Sequence, residues 1–209
     1  MIRVLIVDDH QILRRGLKEV LAEGYSDLIV GEAQNFDEAV EMLVQEDWNL
    51  LLLDINIPGR NGLEVLQEAK RLRPKTAVLI VSAYPEVEFA IRSFKLGASG
   101  YLCKSQAAEE LLGAVKRILG GRKYVTAALA DRLASILGGE PPPAHENLSS
   151  RELQVLQLIA SGSTVKQIAS HLTLSEKTLA TYRTRISDKL GLRTNVELAR
   201  YTFLHKLVE

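Results

Sequence analysis

The most constraining feature of the sequence is a run of four leucines, Leu50 to Leu53, that leads directly into Asp54. A short apolar run bounded by polar residues predicts a strand buried on both faces, as in a parallel sheet. The Pro58-Gly59 and Asn61-Gly62 pairs that follow predict a loop. Asp54 is therefore expected where a buried strand leaves the core, and there a carboxylate acts either as a loop cap or as a functional group.

Four further short apolar runs resemble the leucine run, and helical patterns separate them. The predicted strands cover 2–7, 28–31, 50–53, 76–81 and 99–102, and the predicted helices cover 11–23, 36–45, 63–72, 85–96 and 107–119. Five strand–helix alternations with short connections predict a doubly wound α/β fold around a parallel sheet.

Polar residues follow the predicted strands at their carboxyl ends. Asp8 and Asp9 follow the first strand, Asp54 the third, Ser82 ends the fourth and Lys104 follows the fifth. In open parallel sheets, ligands bind at this edge, where the strand order reverses. Each residue alone has a plainer explanation, such as a helix cap for Asp8 or Ser82 and a solvated loop lysine for Lys104. Their coincidence at one edge favours a site.

Three converging carboxylates repel one another and raise one another's pKa unless a cation lies between them. With oxygen ligands and no cluster of histidine or cysteine, Mg²⁺ is the expected ion. Mg²⁺ in such sites usually also binds phosphate oxygens, and Lys104 and Ser82 supply groups that could hold a phosphoryl group. Asp54 is the best nucleophile for an aspartyl phosphate.

Here the chain resembles the receiver domain of two-component response regulators, over roughly residues 1–119. The matches are Asp8-Asp9, Asp54 with Pro58-Gly59 and Gly62, Ser82-Ala83, and Lys104 with Tyr101. The resemblance implies a flavodoxin-like sheet of order 2-1-3-4-5 and phosphorylation of Asp54 by a sensor histidine kinase. It also implies that Asp9, Asp54 and the Asn56 backbone carbonyl bind Mg²⁺ with Asp8 in the outer shell, and that Ser82 and Tyr101 form a switch pair. Ile57, Asn61 and Ser105 depart from the usual pattern.

A second region follows the tract from Gly138 to Ala144, whose three prolines predict a semi-rigid spacer. One more helix fits the spacing over 127–137. Beyond the spacer only helical patterns occur, over 151–160, 165–171, 176–190 and 195–207, and Ser149, Thr164 and Ser175 are the predicted N-caps of the first three. The short link between the second and third of these predicts a helix-turn-helix. The predicted domains are 1–121, a linker over 122–146, and an all-α domain of four helices over 147–209.

Charge differs between the two regions, although the whole chain is neutral. Residues 1–140 carry 17 basic and 20 acidic residues, whereas residues 141–209 carry 9 and 6. A small basic helical domain fits a footprint on phosphate backbones. The helix over 176–190 places Leu179, Ile186 and Leu190 on one face, and small or basic residues on the opposite face, which suits entry into a DNA groove. A solvated surface helix is the alternative.

The second region resembles the LuxR/NarL (FixJ) class of DNA-binding domains. The matches are Leu148-Ser149-Ser150-Arg151-Glu152, Gly162 with Ile168-Ala169, Leu174 to Leu179, and Lys189 to Thr194. Val165, Ala180 and Tyr182 depart from the common residues, so the operator cannot be copied from relatives. Lys177, Thr181 and Arg185 are predicted to contact bases or the groove, and Lys166, Arg183 and Arg193 to contact phosphates.

The sequence thus predicts a DNA-binding transcriptional regulator that is phosphorylated on Asp54 and forms a homodimer when phosphorylated or on DNA. The single cysteine, Cys103, and the lack of a long apolar run predict a cytoplasmic protein without a membrane partner. Apart from its own phosphotransfer and dephosphorylation, no enzymatic activity is expected. Two alternatives stay open: a regulator that binds DNA independently of phosphate, and a phosphatase acting on an outside substrate.

Overall fold

The computed structural model describes residues 1–58, 60–83, 86–127, 129–131, 134, 143–205 and 207–208. The chain divides into two compact units, Met1–Ala134 and Ser135–Glu209. The domain limits at 121 and 147 and the linker over 122–146 stay predictions. The helix predicted over 127–137 lies largely outside the described residues. No helix in the described ranges is long and apolar enough to cross a bilayer.

The first unit contains a five-stranded parallel sheet of order β2-β1-β3-β4-β5, which confirms the predicted fold and strand order. The strands are β1 (Ile2–Val7), β2 (Leu28–Ala33), β3 (Leu50–Leu53), β4 (Ala77–Ser82) and β5 (Gly100–Cys103). The helices are α1 (Gln11–Gly24), α2 (Phe36–Gln45), α3 (Gly62–Leu72), α4 (Glu86–Lys95) and α5 (Ala107–Leu119).

The leucine run forms the middle strand of the sheet because all four side chains can be buried there. β3 pairs with β1 on one side and β4 on the other, and each leucine is at most 1 % exposed. Leu50 and Leu52 face a core that α1 and α5 cover, together with Val4 and Ile6 of β1. Each such side chain contributes roughly 1.5–3 kcal/mol by leaving water, so this strand is fixed firmly in register.

The second unit is helical, as predicted. A 3₁₀ turn at Ala144–Asn147 precedes α6 (Ser150–Ala160), α7 (Val165–His171), α8 (Glu176–Leu190) and α9 (Asn195–Leu204). The predicted caps form, since Ser149, Thr164 and Ser175 each accept a hydrogen bond from a backbone N–H in the first turn that follows. Thr173, in the link between α7 and α8, has a positive φ of 54°.

The last helix ends earlier than the predicted limit of residue 207. Its final residue is Leu204, and the N–H of Leu207 donates to the carbonyl of Thr202. This bond spans five residues, which is the closure that ends many helices. Leu207 is fully buried after the chain turns back, so packing of this side chain, rather than helical periodicity, decides where the helix stops.

Candidate functional site

Three of the predicted site residues meet at the carboxyl edge of the sheet. Lys104, directly after β5, places its Nζ 2.7 Å from Asp8 Oδ2 and 2.7 Å from Asp54 Oδ2. The Asp8 and Asp54 side chains are almost fully buried and that of Lys104 is 17 % exposed. Lys104 is therefore not a solvated loop lysine, and the two carboxylates share one cation.

Burial and charge act in opposite directions on this group of side chains. Burial raises the pKa of the Asp54 carboxyl to about 6, because Lys104 only partly offsets the loss of water and the charge of Asp8 adds to the rise. The Asn56 backbone N–H approaches the same carboxylate and lowers the pKa slightly. Burial would lower the pKa of Lys104, but Asp54 and Asp8 outweigh it and the pKa of Lys104 is raised.

Asp9 and His10 complete the cluster. One potential ligand atom from each of Asp8, Asp9, His10 and Asp54 lies within 4.8 Å of the others. His10 Nδ1 is 2.8 Å from Asp9 Oδ1 and 3.0 Å from Asp8 Oδ1. The sequence interpretation considered only oxygen ligands here and left out His10, although His10 directly follows Asp9 in the sequence. We call the group formed by Asp8, Asp9, Asp54 and Lys104 the acidic pocket.

The donor set of the acidic pocket fits a hard divalent cation. Its carboxylate oxygens are the ligands that Mg²⁺ prefers. Asp54 Oδ1 is buried and has no hydrogen-bond partner within the described part of the chain. A buried carboxylate oxygen without a partner is costly, and a bound cation or an incoming electrophile would satisfy it.

The loop after β3 brings its own backbone close to Asp54. Gly62 donates its N–H to the Ile55 carbonyl, and a Cβ added at Gly62 would lie 2.0 Å from the Asp54 carbonyl oxygen. Only glycine fits at this distance. Asn61 accepts a hydrogen bond from the Leu63 N–H and so begins α3. The Asn61-Gly62 pair thus holds the start of α3 against the backbone of Asp54 and Ile55.

Ser82 and Tyr101 lie on neighbouring strands and are both fully buried. Ser82 ends β4 and pairs with Cys103, and Tyr101 pairs with Ile80. Leu53, the residue before Asp54, also pairs with Ile80, so Ser82 lies on the edge that carries Asp54.

In the second unit, α8 has the two-faced character that the sequence predicted. Leu179 and Ile186 are buried and Leu190 is half-buried, whereas Lys177, Thr181 and Arg185 are exposed. These three exposed residues line one shallow depression of about 260 Å³. They therefore form a single face, which is the geometry needed to enter a groove.

The three predicted phosphate-contacting residues are also exposed, although two of them have protein neighbours. Lys166 lies on α7, and Arg183 and Arg193 line the same cavity of about 570 Å³ between helices of this unit. Arg183 Nε donates to Asn195 Oδ1 at 3.2 Å, so this side chain is already oriented before any ligand arrives.

An ion pair that the sequence did not predict joins the exposed Lys189 of α8 to the buried Glu152 of α6. Lys189 Nζ lies 2.6 Å from Glu152 Oε2, and the Ser149 N–H donates to the same oxygen. Burial would raise the pKa of the Glu152 carboxyl, but these hydrogen bonds outweigh it and hold the pKa below its usual value. The pair fixes the helix that carries the exposed basic face.

Comparison with known proteins covers both units. Residues 4–116 match the family described as "Response regulator receiver domain", and residues 146–202 match "Bacterial regulatory proteins, luxR family". The chain is 34% identical to the response regulator GacA of Pseudomonas aeruginosa over 213 residues, covering 100% of this chain and 99% of GacA.

Two solved structures of the response regulator RcsB are similar along nearly the whole chain. A structure of two RcsB dimers bound to two parallel DNAs is 25% identical with a TM-score of 0.60, and covers 99% of each chain. RcsB from Salmonella enterica serovar Typhimurium, bound to promoter P1flhDC with the phosphomimetic BeF3-, is 25% identical with a TM-score of 0.59, and covers 96% of this chain and 97% of RcsB.

Proposed function

The chain belongs to the two-component response regulators of the NarL/FixJ type, which join a receiver domain to a LuxR-type DNA-binding domain, and on that premise we propose that phosphorylation of Asp54 controls its binding to DNA. The observation that carries the proposal is the acidic pocket, where Lys104 bridges Asp8 and Asp54 at 2.7 Å to each. Burying these charges costs folding free energy, and a receiver that accepted no phosphoryl group would gain no function from that cost.

Asp54 is the acceptor in this proposal. Its pKa of about 6 leaves the carboxylate mostly ionised at neutral pH, so an oxygen is available to attack phosphorus. The new O–P bond forms as the P–N bond to the phosphohistidine of a sensor kinase breaks, and the imidazole of the kinase leaves. Lys104, which already lies against Asp54, would then move its ammonium group to the phosphoryl oxygens.

The residues that would hold Mg²⁺ are Asp9 and Asp54 with the Asn56 carbonyl, and Asp8 would act from the outer shell. The ion supplies positive charge that neutralises the transferring phosphoryl group. The remaining contributions come from the chain itself. Asp8 holds Lys104 in place, and the buried walls around Asp54 limit access of water to the acyl phosphate.

Ser82 and Tyr101 would carry the signal away from the pocket. The Ser82 hydroxyl would move to donate to the phosphoryl group, and the Tyr101 ring would follow into the space that this movement leaves. The burial of both residues supports this, because a change at a packed position displaces its neighbours. The affected surface would be the part of the receiver that α4 and β5 form.

For the DNA-binding unit, we propose that Lys177, Thr181 and Arg185 lie in the major groove. Lys166, Arg183 and Arg193 would contact phosphates on either side. Homodimers on paired half-sites would agree with the structure of two RcsB dimers bound to two parallel DNAs. Exposed Val196 and Phe203 on α9 give this unit an apolar surface for such a dimer. A regulator that binds the bacterial chromosome would act in the cytoplasm.

The test combines labelling with DNA binding. The full chain is treated with acetyl phosphate and Mg²⁺, the modified residue is located by mass spectrometry, and DNA affinity is compared before and after. We expect one phosphoryl group on Asp54 and tighter binding. The Asp54→Ala variant should take no label and show no gain, whereas Asp27→Ala, at an exposed position, should behave like the wild type.

Two results would favour the alternatives. Labelling of Asp54 without any change in DNA affinity would support a regulator that works independently of phosphate. Steady turnover of a generic phosphomonoester without trapped aspartyl phosphate would support a phosphatase.

A further inference from the structure

A buried arginine lies directly behind the acidic pocket. Arg14, on α1, has a side chain that is only 6 % exposed. Its Nε donates to Glu32 Oε2 on β2 at 3.0 Å, and its Nη1 donates to the backbone carbonyl of Asp8 at 2.7 Å. Buried arginines are uncommon, and this one donates a charge-assisted hydrogen bond to the main chain of Asp8, a residue of the acidic pocket.

The carbonyl that Arg14 binds belongs to the peptide unit between Asp8 and Asp9. Since a peptide unit is planar, fixing this carbonyl also fixes the direction in which the chain enters Asp9. On the other side of Asp8, its N–H donates to the Ala33 carbonyl at 3.1 Å and extends the pairing of β1 with β2. The peptide groups on both sides of Asp8 are therefore held, one by the sheet and one by Arg14.

Side-chain contacts from Asp8 use the orientation set in this way. Its Oδ2 binds Lys104, and its Oδ1 accepts the His10 N–H at 2.8 Å. Asp9 has a side chain that is 33 % exposed, and its Oδ1 lies 2.8 Å from His10 Nδ1. The direction of the Asp9 carboxylate therefore depends on the orientation of the Asp8–Asp9 peptide together with this contact.

Charge alone does not account for this arrangement. The guanidinium is paired with Glu32, so little net positive charge from Arg14 reaches the pocket. An unpaired cation so close to the carboxylates would weaken binding of a divalent ion, because it would repel the ion. The hydrogen bond to the carbonyl, by comparison, acts only through geometry.

We propose that Arg14 is a positioning residue for Mg²⁺ binding, acting through the Asp8–Asp9 peptide unit. The inference rests on the proposed function of the acidic pocket. Partners behind the direct ligands typically change metal affinity by about 10–100-fold when they are removed.

The two explanations predict opposite signs for the effect of losing the arginine. If Arg14 positions Asp9, then Arg14→Met, which keeps the aliphatic bulk and removes the donors, weakens Mg²⁺ binding. If Arg14 acts as a nearby cation, Arg14→Met strengthens binding. Glu32→Gln completes the comparison, because it keeps the bond to the Asp8 carbonyl and leaves the arginine without its charge partner. Positioning predicts little change for Glu32→Gln, whereas a charge effect predicts weaker binding.

The experiment measures Mg²⁺ affinity of the full chain by titration calorimetry, and urea unfolding without Mg²⁺ to verify that each variant is folded. We expect the dissociation constant of Arg14→Met to rise by about tenfold. Glu32→Gln and Lys18→Met should stay within about twofold of the wild type, since Lys18 lies on the same helix, contacts Glu32 and is 54 % exposed. Acetyl phosphate labelling should need a correspondingly higher Mg²⁺ concentration for half its maximal rate, with a smaller change in that maximum.

If Arg14→Met does not fold, Arg14→Gln decides, because its amide nitrogen ends where Arg14 Nε contacts Glu32 and is too short to reach the Asp8 carbonyl that Nη1 contacts. Wild-type affinity in a folded Arg14→Met or Arg14→Gln variant would overturn the inference, and so would an equal loss in Glu32→Gln. If the wild type is labelled on Asp54 and these variants bind Mg²⁺ with wild-type affinity, the positioning role is wrong but the proposed function stands. A wild-type chain that binds no Mg²⁺ would overturn both.

Discussion

The buried charge of Asp54 costs the receiver unit stability, and replacing it with a neutral isostere should recover this loss. The pKa of the Asp54 carboxyl rises from its ordinary 3.8 to about 6 in the folded chain, because burial outweighs the attraction of Lys104. At about 1.36 kcal/mol per pKa unit, this difference corresponds to about 3 kcal/mol. Asp54→Asn keeps the shape of the side chain and removes its titration.

The pH dependence isolates this contribution from any constant effect of the amide. Below pH 3.8 the carboxyl is neutral in both the folded and the unfolded chain. Between 3.8 and about 6 the folded chain still holds the proton that the unfolded chain releases, so the contribution of Asp54 to wild-type stability falls as the pH rises. Above about 6 the loss is complete. The stability difference between Asp54→Asn and the wild type should therefore grow by up to about 3 kcal/mol between pH 4 and pH 8.

The assay is urea unfolding without Mg²⁺, followed by the fluorescence of Trp48. This is the only tryptophan of the chain and is 5 % exposed within the receiver unit, so it reports on that unit. Asp27→Asn, at an exposed position, is the control and should show no such growth. Saturating Mg²⁺ should shrink the difference, because the ion favours the ionised carboxylate. A difference that stays flat or falls with rising pH would refute the reasoning.

Three further changes test other parts of the structure. Gly62→Ala places a Cβ 2.0 Å from the Asp54 carbonyl oxygen. We expect the free energy of unfolding in urea to fall by about 2 kcal/mol and acetyl phosphate labelling to become slower. Wild-type values for both would contradict the backbone contact. Lys189→Met leaves the Glu152 carboxylate buried without its ammonium partner and should lower the stability of the DNA-binding unit by about 1–3 kcal/mol. Burial raises the pKa of the Glu152 carboxyl, but hydrogen bonds lower it more strongly, so the ionised carboxylate stabilises the wild type and this stabilisation is lost as the pH falls below about 4.5. The loss should be smaller in Lys189→Met, and thermal unfolding followed by circular dichroism measures it. Arg193→Ala should reduce the slope of log affinity against log salt by about 0.9 in DNA-binding anisotropy, and an unchanged slope would exclude a phosphate contact.

The parts of the fold that the sequence predicted well are those that depend on local pattern. The run from Leu50 to Leu53 predicted a buried strand, and the alternation of strands and helices then predicted that Asp54 and Lys104 would share an edge. Helix starts at Ser149 and Thr164 followed equally from the capping residues, because a cap bonds within its own first turn.

The parts that the sequence did not predict depend on contacts between distant segments. The Lys189–Glu152 pair joins residues 37 apart, and Arg14 reaches Glu32 across the gap between α1 and β2. No periodicity signals such contacts, since each requires the packed arrangement to be known first. His10 is different: its position beside Asp9 was visible, but only the folded structure turns its ring towards the carboxylates.

Under the proposed function, the charges of the acidic pocket explain how one phosphoryl group on Asp54 would act as a signal. Three ionised carboxylates and Lys104 give the pocket a charge of −2, which one divalent cation would neutralise. Phosphorylation replaces the single charge of Asp54 with about two on the phosphoryl group, so the neutral pocket gains about one negative charge. In a buried site this charge needs new donors at once. Lys104 is already adjacent to Asp54, so the additional hydrogen-bond donor would have to come from Ser82 on the same edge. Movement of the Ser82 hydroxyl towards the phosphoryl group would then make room for the Tyr101 ring.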